Sequence, residues 1–407
     1  MHSSAVAIFP DLNAGSSVLE GTPSQVVAAS LPPWLTIDAF PMRSQEYEYG
    51  YMSGKRLKNC SRQELIIRCR SEQVPAIHLV WTPETPRLVP PTEVEFLLDS
   101  VKAKVKHSYR TQLVVAVLNL FSLGILPLMT LDAKDVTIRR FLILNCVMLV
   151  VVPIAGALYG LLKSKGLTSE QIAKERTHIQ YATWVATRRI VLTWVLAACI
   201  LAIWIVQMVT GLERSVTSAG LVKEDVWRGQ VWRLATGPML HGGVLHILFN
   251  GVALLGLGRL AEVLADRAYL AIVFLASMLA GSLFSLFILP HTSSVGASGG
   301  LMGLIGFSAV VGYRRQDILP PRFFRSVVIN VLLMAAIGVI AFGIIDNAAH
   351  LGGFVCGVLL GLLLVRPQGG LPLRPPKGIR RLGNICSFMI VALAVATVWI
   401  VLPGAGY

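Results

Sequence analysis

The sequence predicts an all-α fold, a polytopic membrane helix bundle with a small soluble domain on its N-terminal side, and three observations carry that prediction. Of 407 residues, 54% are hydrophobic and only 14% are charged, whereas charged residues make up roughly a quarter of a soluble domain. The apolar excess is gathered into uncharged runs of spanning length, roughly 20 residues for a hydrocarbon core of about 30 Å. Lys and Arg, in turn, collect in alternate connections between those runs.

The clean runs are 111 to 131, 141 to 162, 190 to 210, 268 to 289, 326 to 345 and 385 to 403. Three shorter ones, 244 to 258, 298 to 313 and 348 to 365, contain or adjoin His246, Asn250, Ser298 and His350, so nine spans are expected. Connections 163 to 189, 259 to 267, 314 to 325 and 366 to 384 hold six, two, four and five Lys or Arg, while 290 to 297, 346 to 347 and the C-terminal tail hold none. By the positive-inside rule the first set is cytoplasmic, which puts the N-terminus inside and the C-terminus outside. The same distribution speaks against nucleic acid despite the net charge of +14, because the basic residues flank spans instead of forming a polar patch interleaved with aromatics. The expected surroundings are the lipid bilayer.

Along the chain, 1–30 reads as disordered, being small and polar. Residues 31–107 read as a small cytoplasmic domain containing strands, its last part (92 to 107) a helix leading into the membrane with Glu93 and Glu95 near its start. A transmembrane hairpin (108–163), a cytoplasmic connector (164–189), a core (190–366) and a loop with one further span (367–407) follow. No basic start followed by an apolar stretch opens the chain, so the first span is expected to act as the insertion signal. A cytoplasmic N-terminus keeps Cys60 and Cys69 reduced. Cys146, Cys199, Cys356 and Cys386 lie in apolar spans as packing residues. A bacterial inner membrane is the expected location.

Three constellations carry chemistry. In His241-Gly-Gly-Val-Leu-His246-Ile-Leu-Phe-Asn250, His246 and Asn250 are four apart and share a helix face. Polar groups in a membrane helix are costly unless they face a protein interior or a wet cavity; taken alone, this pair equally suits interhelical hydrogen bonding. Gly296-Ala297-Ser298-Gly299-Gly300 satisfies G-x-S-x-G, yet it lacks the preceding strand and the sheet that make that pattern a nucleophile elbow. It leaves a serine at the start of a membrane helix, among glycines that permit close approach. Asp346-Asn347-Ala348-Ala349-His350 runs into Gly353, Gly357 and Gly361, whose spacing of four bares one helix face for tight packing. If the partner helix is the one begun by Ser298, His350 is held beside it.

Under the derived topology all three constellations fall near the outer side of the membrane, a coincidence that independent packing residues would not require. A serine needs an adjacent base, which a near-neutral imidazole supplies. An Asn amide and a His ring N–H can donate to the oxyanion that forms.

With these residues in place, the stretch from about 185 to 366 resembles the six-helix core of the rhomboid intramembrane serine proteases: H-x-x-x-x-H-x-x-x-N, then G-x-S-G, then a late A-H before a glycine-spaced helix. The resemblance implies peptide-bond hydrolysis without a cofactor or metal, acting on membrane-protein substrates. It implies Ser298 as nucleophile and His350 as base, with His246, Asn250 and the Ser298 backbone N–H as the oxyanion hole. His241 matches an outer histidine of the family and Gly296 the first glycine of the serine motif. Trp232-Arg233 matches a W-R pair in the long first loop and Glu262 a family glutamate, all three structural in character. The last span implies a six-plus-one arrangement with an extra hairpin in front. Where many rhomboids carry an aromatic four residues after the serine, this chain has Met302, whose thioether can pack on a ring edge.

Other readings fit these residues less well. A proteolytically inactive, client-binding rhomboid-like protein would usually have lost the dyad. A transporter would show paired repeats or charges within spans. A zinc site at His241, His246 and His350 lacks the H-E-x-x-H helix that supplies ligands and base together. Asp346 stands four residues ahead of His350, within range of a triad role, although the family is known for a dyad.

Overall fold

The computed structural model describes residues 32 to 402, apart from 37, 54–55, 71–76, 130–142, 144–145, 167, 341–344 and 367–369. The expected disorder of 1–30 and the turn of the N-terminal hairpin lie outside the described residues.

The N-terminal segment forms the expected strands. β1 (Gly50–Ser53) pairs antiparallel with both β2 (Arg56–Asn59) and β3 (Val80–Trp81), and α1 (Arg62–Arg70) buries Leu65 and Cys69 beside them. Cys60 and Cys69 are free thiols, and burial pushes both up to about 11, which leaves them protonated and unreactive near neutrality. Two 3-10 turns lead into α2 (Leu98–Met129), so the expected lead-in helix and the first span are one continuous element. A π-helical turn (Val147–Val151) then runs into α3 (Val152–Lys165), where Pro153 has no N–H to donate back along the helix and the Leu149 carbonyl instead accepts from Asn119 Nδ2 at 3.3 Å.

The stretch read as a plain connector is mostly helix: α4 (Ser169–Thr187) is capped by the Thr168 hydroxyl, which accepts from the Gln171 N–H at 3.2 Å. The N-terminal segment lies against it. Trp34 packs edge-on to Tyr181 (ring centroids 4.8 Å apart) and tilted on Trp184 (5.7 Å). Arg176 and Gln180 reach Glu93 at 3.1 and 2.9 Å.

The core begins with α5 (Leu192–Thr210). The long connection after it is folded rather than irregular, built from α6 (Leu212–Ala219), α7 (Lys223–Trp227), α8 (Arg233–Thr236) and a 3-10 turn. Then come α9 (Val244–Ala265), α10 (Arg267–Ile288), α11 (Ser298–Arg314), α12 (Phe323–Ile340), α13 (Asn347–Leu364) and α14 (Lys377–Val401). Five of these, α5, α9, α10, α13 and α14, are long and apolar enough to cross a membrane, and α10 is the most enclosed. The chain is a polytopic membrane helix bundle.

One packing seam positions the site. A Cβ placed on Gly353 would fall on the Gly299 carbonyl, and one on Gly357 on the Gly303 carbonyl. A Cβ on Gly306 would stand 2.5 Å from the Phe354 carbonyl oxygen, and one on Gly361 would stand 2.7 Å from Val310 Cβ. Partners advance together along both helices, so α11 and α13 run parallel with their backbones in contact. In lipid, where association cannot draw on apolar burial from water, such backbone approach is what dispersion and weak polar contacts require. At the far end Arg314 donates to the carbonyls of Leu362 and Val365, closing the C-terminus of α13.

Candidate active site

The seam carries Ser298 and His350 at matching ends. Ser298 is the first residue of α11 and His350 lies in the first turn of α13. Their chain neighbours touch: a Cβ on Gly299 would stand 3.5 Å from the Ala349 carbonyl oxygen, and one on Gly281 of α10 would stand 2.8 Å from the same atom. The pairing expected from glycine spacing is therefore the one the fold adopts. Ser298 and His350 are both partly exposed. Among the described residues, neither the Ser298 hydroxyl nor the His350 ring makes a hydrogen bond, and catalytic hydrogen bonds often shorten only in the substrate complex.

His246 and Asn250 stand on the first two turns of α9 and converge on the backbone just ahead of Ser298. Gly296 has φ +120°, which an L side chain rarely adopts. A Cβ there would also lie 2.6 Å from His246 Cε1 and Nε2 and 3.7 Å from Asn250 Nδ2. His246 Nδ1 accepts from the Gly242 N–H at 3.4 Å, which leaves Nε2, the nitrogen facing Gly296, as the donor of a neutral ring. Asn250 Nδ2 is buried and has no hydrogen-bond partner among the described residues. Both groups thus face the backbone at Gly296, two residues ahead of Ser298.

The other predicted residues sit around this point. His241 is fully buried, its ring edge-on to His246 at 5.2 Å, and both of its ring nitrogens lack partners among the described residues. Its backbone is clamped by Gln207 of α5, which accepts from the His241 N–H at 2.9 Å and donates to its carbonyl at 3.1 Å. Sequence reasoning missed Gln207; the available signal was a lone amide inside an apolar run. Arg233 is buried and ties the long loop together, donating to the carbonyls of Gly220 and Thr217, each at 2.9 Å, and to Gln230 Oε1 at 2.7 Å. Trp232 is exposed. Glu262 lies at the opposite end of α9, about 18 Å along the helix from Asn250 at 1.5 Å per residue. There it accepts from the N–H groups of Val191, Leu192 and Thr193 at 2.7 to 3.0 Å, capping α5. Met302 is buried with Ile305 and Val327 of α12.

Asp346 does not join His350 in a triad. Its Oδ1 accepts from the Ala349 N–H, capping α13, and its Oδ2 accepts from the hydroxyls of Ser285 and Ser294.

Fold and site together define a polytopic membrane protein with a serine and a histidine held at the same ends of two parallel, glycine-packed helices. Residues 228–367, about a third of the chain, match the family model of the Rhomboid domain. It is 35% identical over 161 residues to RHOMBOID-like protein 4 of Arabidopsis thaliana, covering 38% of this chain and 40% of that protein. It is 30% identical over 190 residues to the rhomboid protease GluP of Bacillus subtilis (strain 168), covering 46% and 35%. It is also 35% identical over 133 residues to Inactive rhomboid protein 1 of Rattus norvegicus, covering 32% and 15%. The matched stretch spans less than half the length of each of these relatives.

Proposed function

We propose that this chain is an intramembrane serine endopeptidase that cleaves transmembrane or membrane-adjacent segments of client proteins. The observation that supports the reading is the seam itself: at its head Gly299 packs on the Ala349 carbonyl, the chain neighbours of Ser298 and His350, while His246 Nε2 and Asn250 Nδ2 lie near the backbone at Gly296. In the proposed reaction Ser298 Oγ attacks the scissile carbonyl and His350 takes the hydroxyl proton, then hands it to the departing amine. The tetrahedral oxyanion meets the Asn250 amide, the His246 ring N–H and the Ser298 backbone N–H. Water, deprotonated by His350, then releases the acyl-enzyme. No cofactor enters these steps.

Replacing Ser298→Ala should abolish cleavage of a single-span substrate in proteoliposomes while insertion and thermal stability persist. Continued cleavage would remove Ser298 from the reaction. Asn250→Ala should lower kcat by about 10² to 10³ if its amide serves the oxyanion.

A second reading, a proteolytically inactive binder of membrane clients, draws on the relative named as an inactive rhomboid. The retained serine and histidine favour the protease. Labelling by a fluorophosphonate probe, lost in His350→Ala, separates the two. We place the chain with its N-terminus cytoplasmic, on the charge asymmetry of its connections. The relatives named above include plant and bacterial proteins, so they do not favour a bacterial inner membrane over an organellar one.

A further inference from the structure

We infer that Asp346 is a positioning residue for the proposed reaction: its carboxylate ties the loop that delivers Ser298 to the helix that delivers His350 and fixes their register. The inference rests on the proteolytic reading above and deepens it. Three elements meet at this one side chain. Oδ1 accepts from the Ala349 N–H at 2.8 Å, at the head of α13. Oδ2 accepts from Ser285 Oγ, in the last turn of α10, and from Ser294 Oγ, four residues ahead of Ser298.

The loop between α10 and α11 is held from its other side as well. Ser294 exchanges both backbone hydrogen bonds with Leu221, at 3.0 and 3.1 Å, and the Gly296 N–H donates to the Gly237 carbonyl at 3.4 Å. Thr292 Oγ1 accepts from Lys223 Nζ at 3.0 Å, and Lys223 is fully buried. Burial pushes the Lys223 ammonium down from the usual lysine range, while the negative charge of Asp346, and less so that of Glu224, pulls it back up. A buried ammonium requires such a counter-charge. Asp346 and Lys223 therefore both hold the Ser298 loop, through Ser294 and Thr292, and neither is hydrogen-bonded to Ser298 or to the His350 ring among the described residues.

A capping role alone needs only Oδ1, and leaves the two serine hydroxyls on Oδ2 without a purpose. A triad role needs an oxygen on the His350 ring, and among the described residues neither oxygen is hydrogen-bonded to it. What the three bonds jointly accomplish is alignment, and a misplacement of about 1 Å at a reacting centre can cost 10²-fold in rate.

The test uses the full chain in proteoliposomes with a single-span substrate. Asp346→Asn keeps an oxygen able to cap α13, but it loses the charge and turns one acceptor into a donor. The double variant Ser285→Ala with Ser294→Ala leaves the carboxylate and its charge intact and removes only the struts. Both variants should lower kcat by about 10- to 100-fold with KM nearly unchanged. Both should also speed amide hydrogen exchange in 289 to 297 while 244 to 250 keeps its protection. A double variant with wild-type kcat and exchange, beside an impaired Asp346→Asn, would overturn the inference in favour of a direct charge effect on His350. Loss of activity that merely tracks loss of folded protein would overturn it in favour of plain structural support. Active wild-type protein with unaffected variants sinks this inference alone; wild-type protein that neither cleaves nor reacts with a fluorophosphonate sinks the proteolytic reading beneath it.

Discussion

The two sides of α11 are built in opposite ways. Toward α13 the contact is backbone on backbone, with Gly299 and Gly303 pressed to Gly353 and Gly357. Toward α12 it is side chain on side chain, with Met302 and Ile305 against Val327 and with Val331 and Met334 partly buried beside them. At these two pairs the contact has no compliant part, since no side chain stands between the backbones to change rotamer, so it can hold the heads of the two helices in register. The second is made of flexible apolar groups that repack at modest cost. Much of α12 also points outward, including Ile329, Leu332, Leu333 and Val339. Rigidity and adaptability thus occupy opposite flanks of the helix that carries Ser298.

That contrast can be broken most forcefully at Gly353. Gly353→Val should push α13 off α11, lower stability in detergent by about 3 kcal/mol or more, and reduce cleavage to background; thermal unfolding and a substrate assay read both. Full activity in that variant would mean the seam does not set the dyad. On the other flank, Val327→Ala should cost about 1 kcal/mol and leave kcat within a few-fold of wild type. A loss as large as that at Gly353 would erase the distinction between the flanks. The smallest effect belongs to the foot of α12, where Arg322 meets Glu175 of α4 at 2.8 Å with its side chain 62% exposed. Arg322→Gln should change stability by no more than about 0.5 kcal/mol, measured as a shift in the same unfolding curve.

Most of the seam was legible in the sequence because its signal is local. Glycines at 353, 357 and 361 repeat every fourth residue and mark one helix face without knowledge of any partner. The placement of His246 and Asn250 on one face of α9 was legible for the same reason, since they are polar residues one turn apart in an apolar run. The N-terminal strands were likewise legible, and of the nine expected spans five fall on helices that, among the described residues, are long and apolar enough to cross a membrane. What was not legible depends on residues distant in the chain. Ser285 and Ser294 lie 61 and 52 residues from Asp346, and a serine near the end of an apolar helix has no periodicity to announce a carboxylate. Gln207 gripping His241 across 34 residues is of the same kind. The α4 helix was hidden by composition: its charged face suggested a solvated connector, and its aromatic face had meaning only once Trp34 was packed against Tyr181 and Trp184.

The backbone seam also bears on how this protein can vary. Under the proposed reading, a contact made of main chain carries no record of which client is cut, because no side chain there can be exchanged for another preference. Saturation mutagenesis along Gly353 and Gly357 would return little beyond glycine, whereas the outward positions of α12 would accept alternatives. Any diversity in what is recognised has to be written in those tolerant positions.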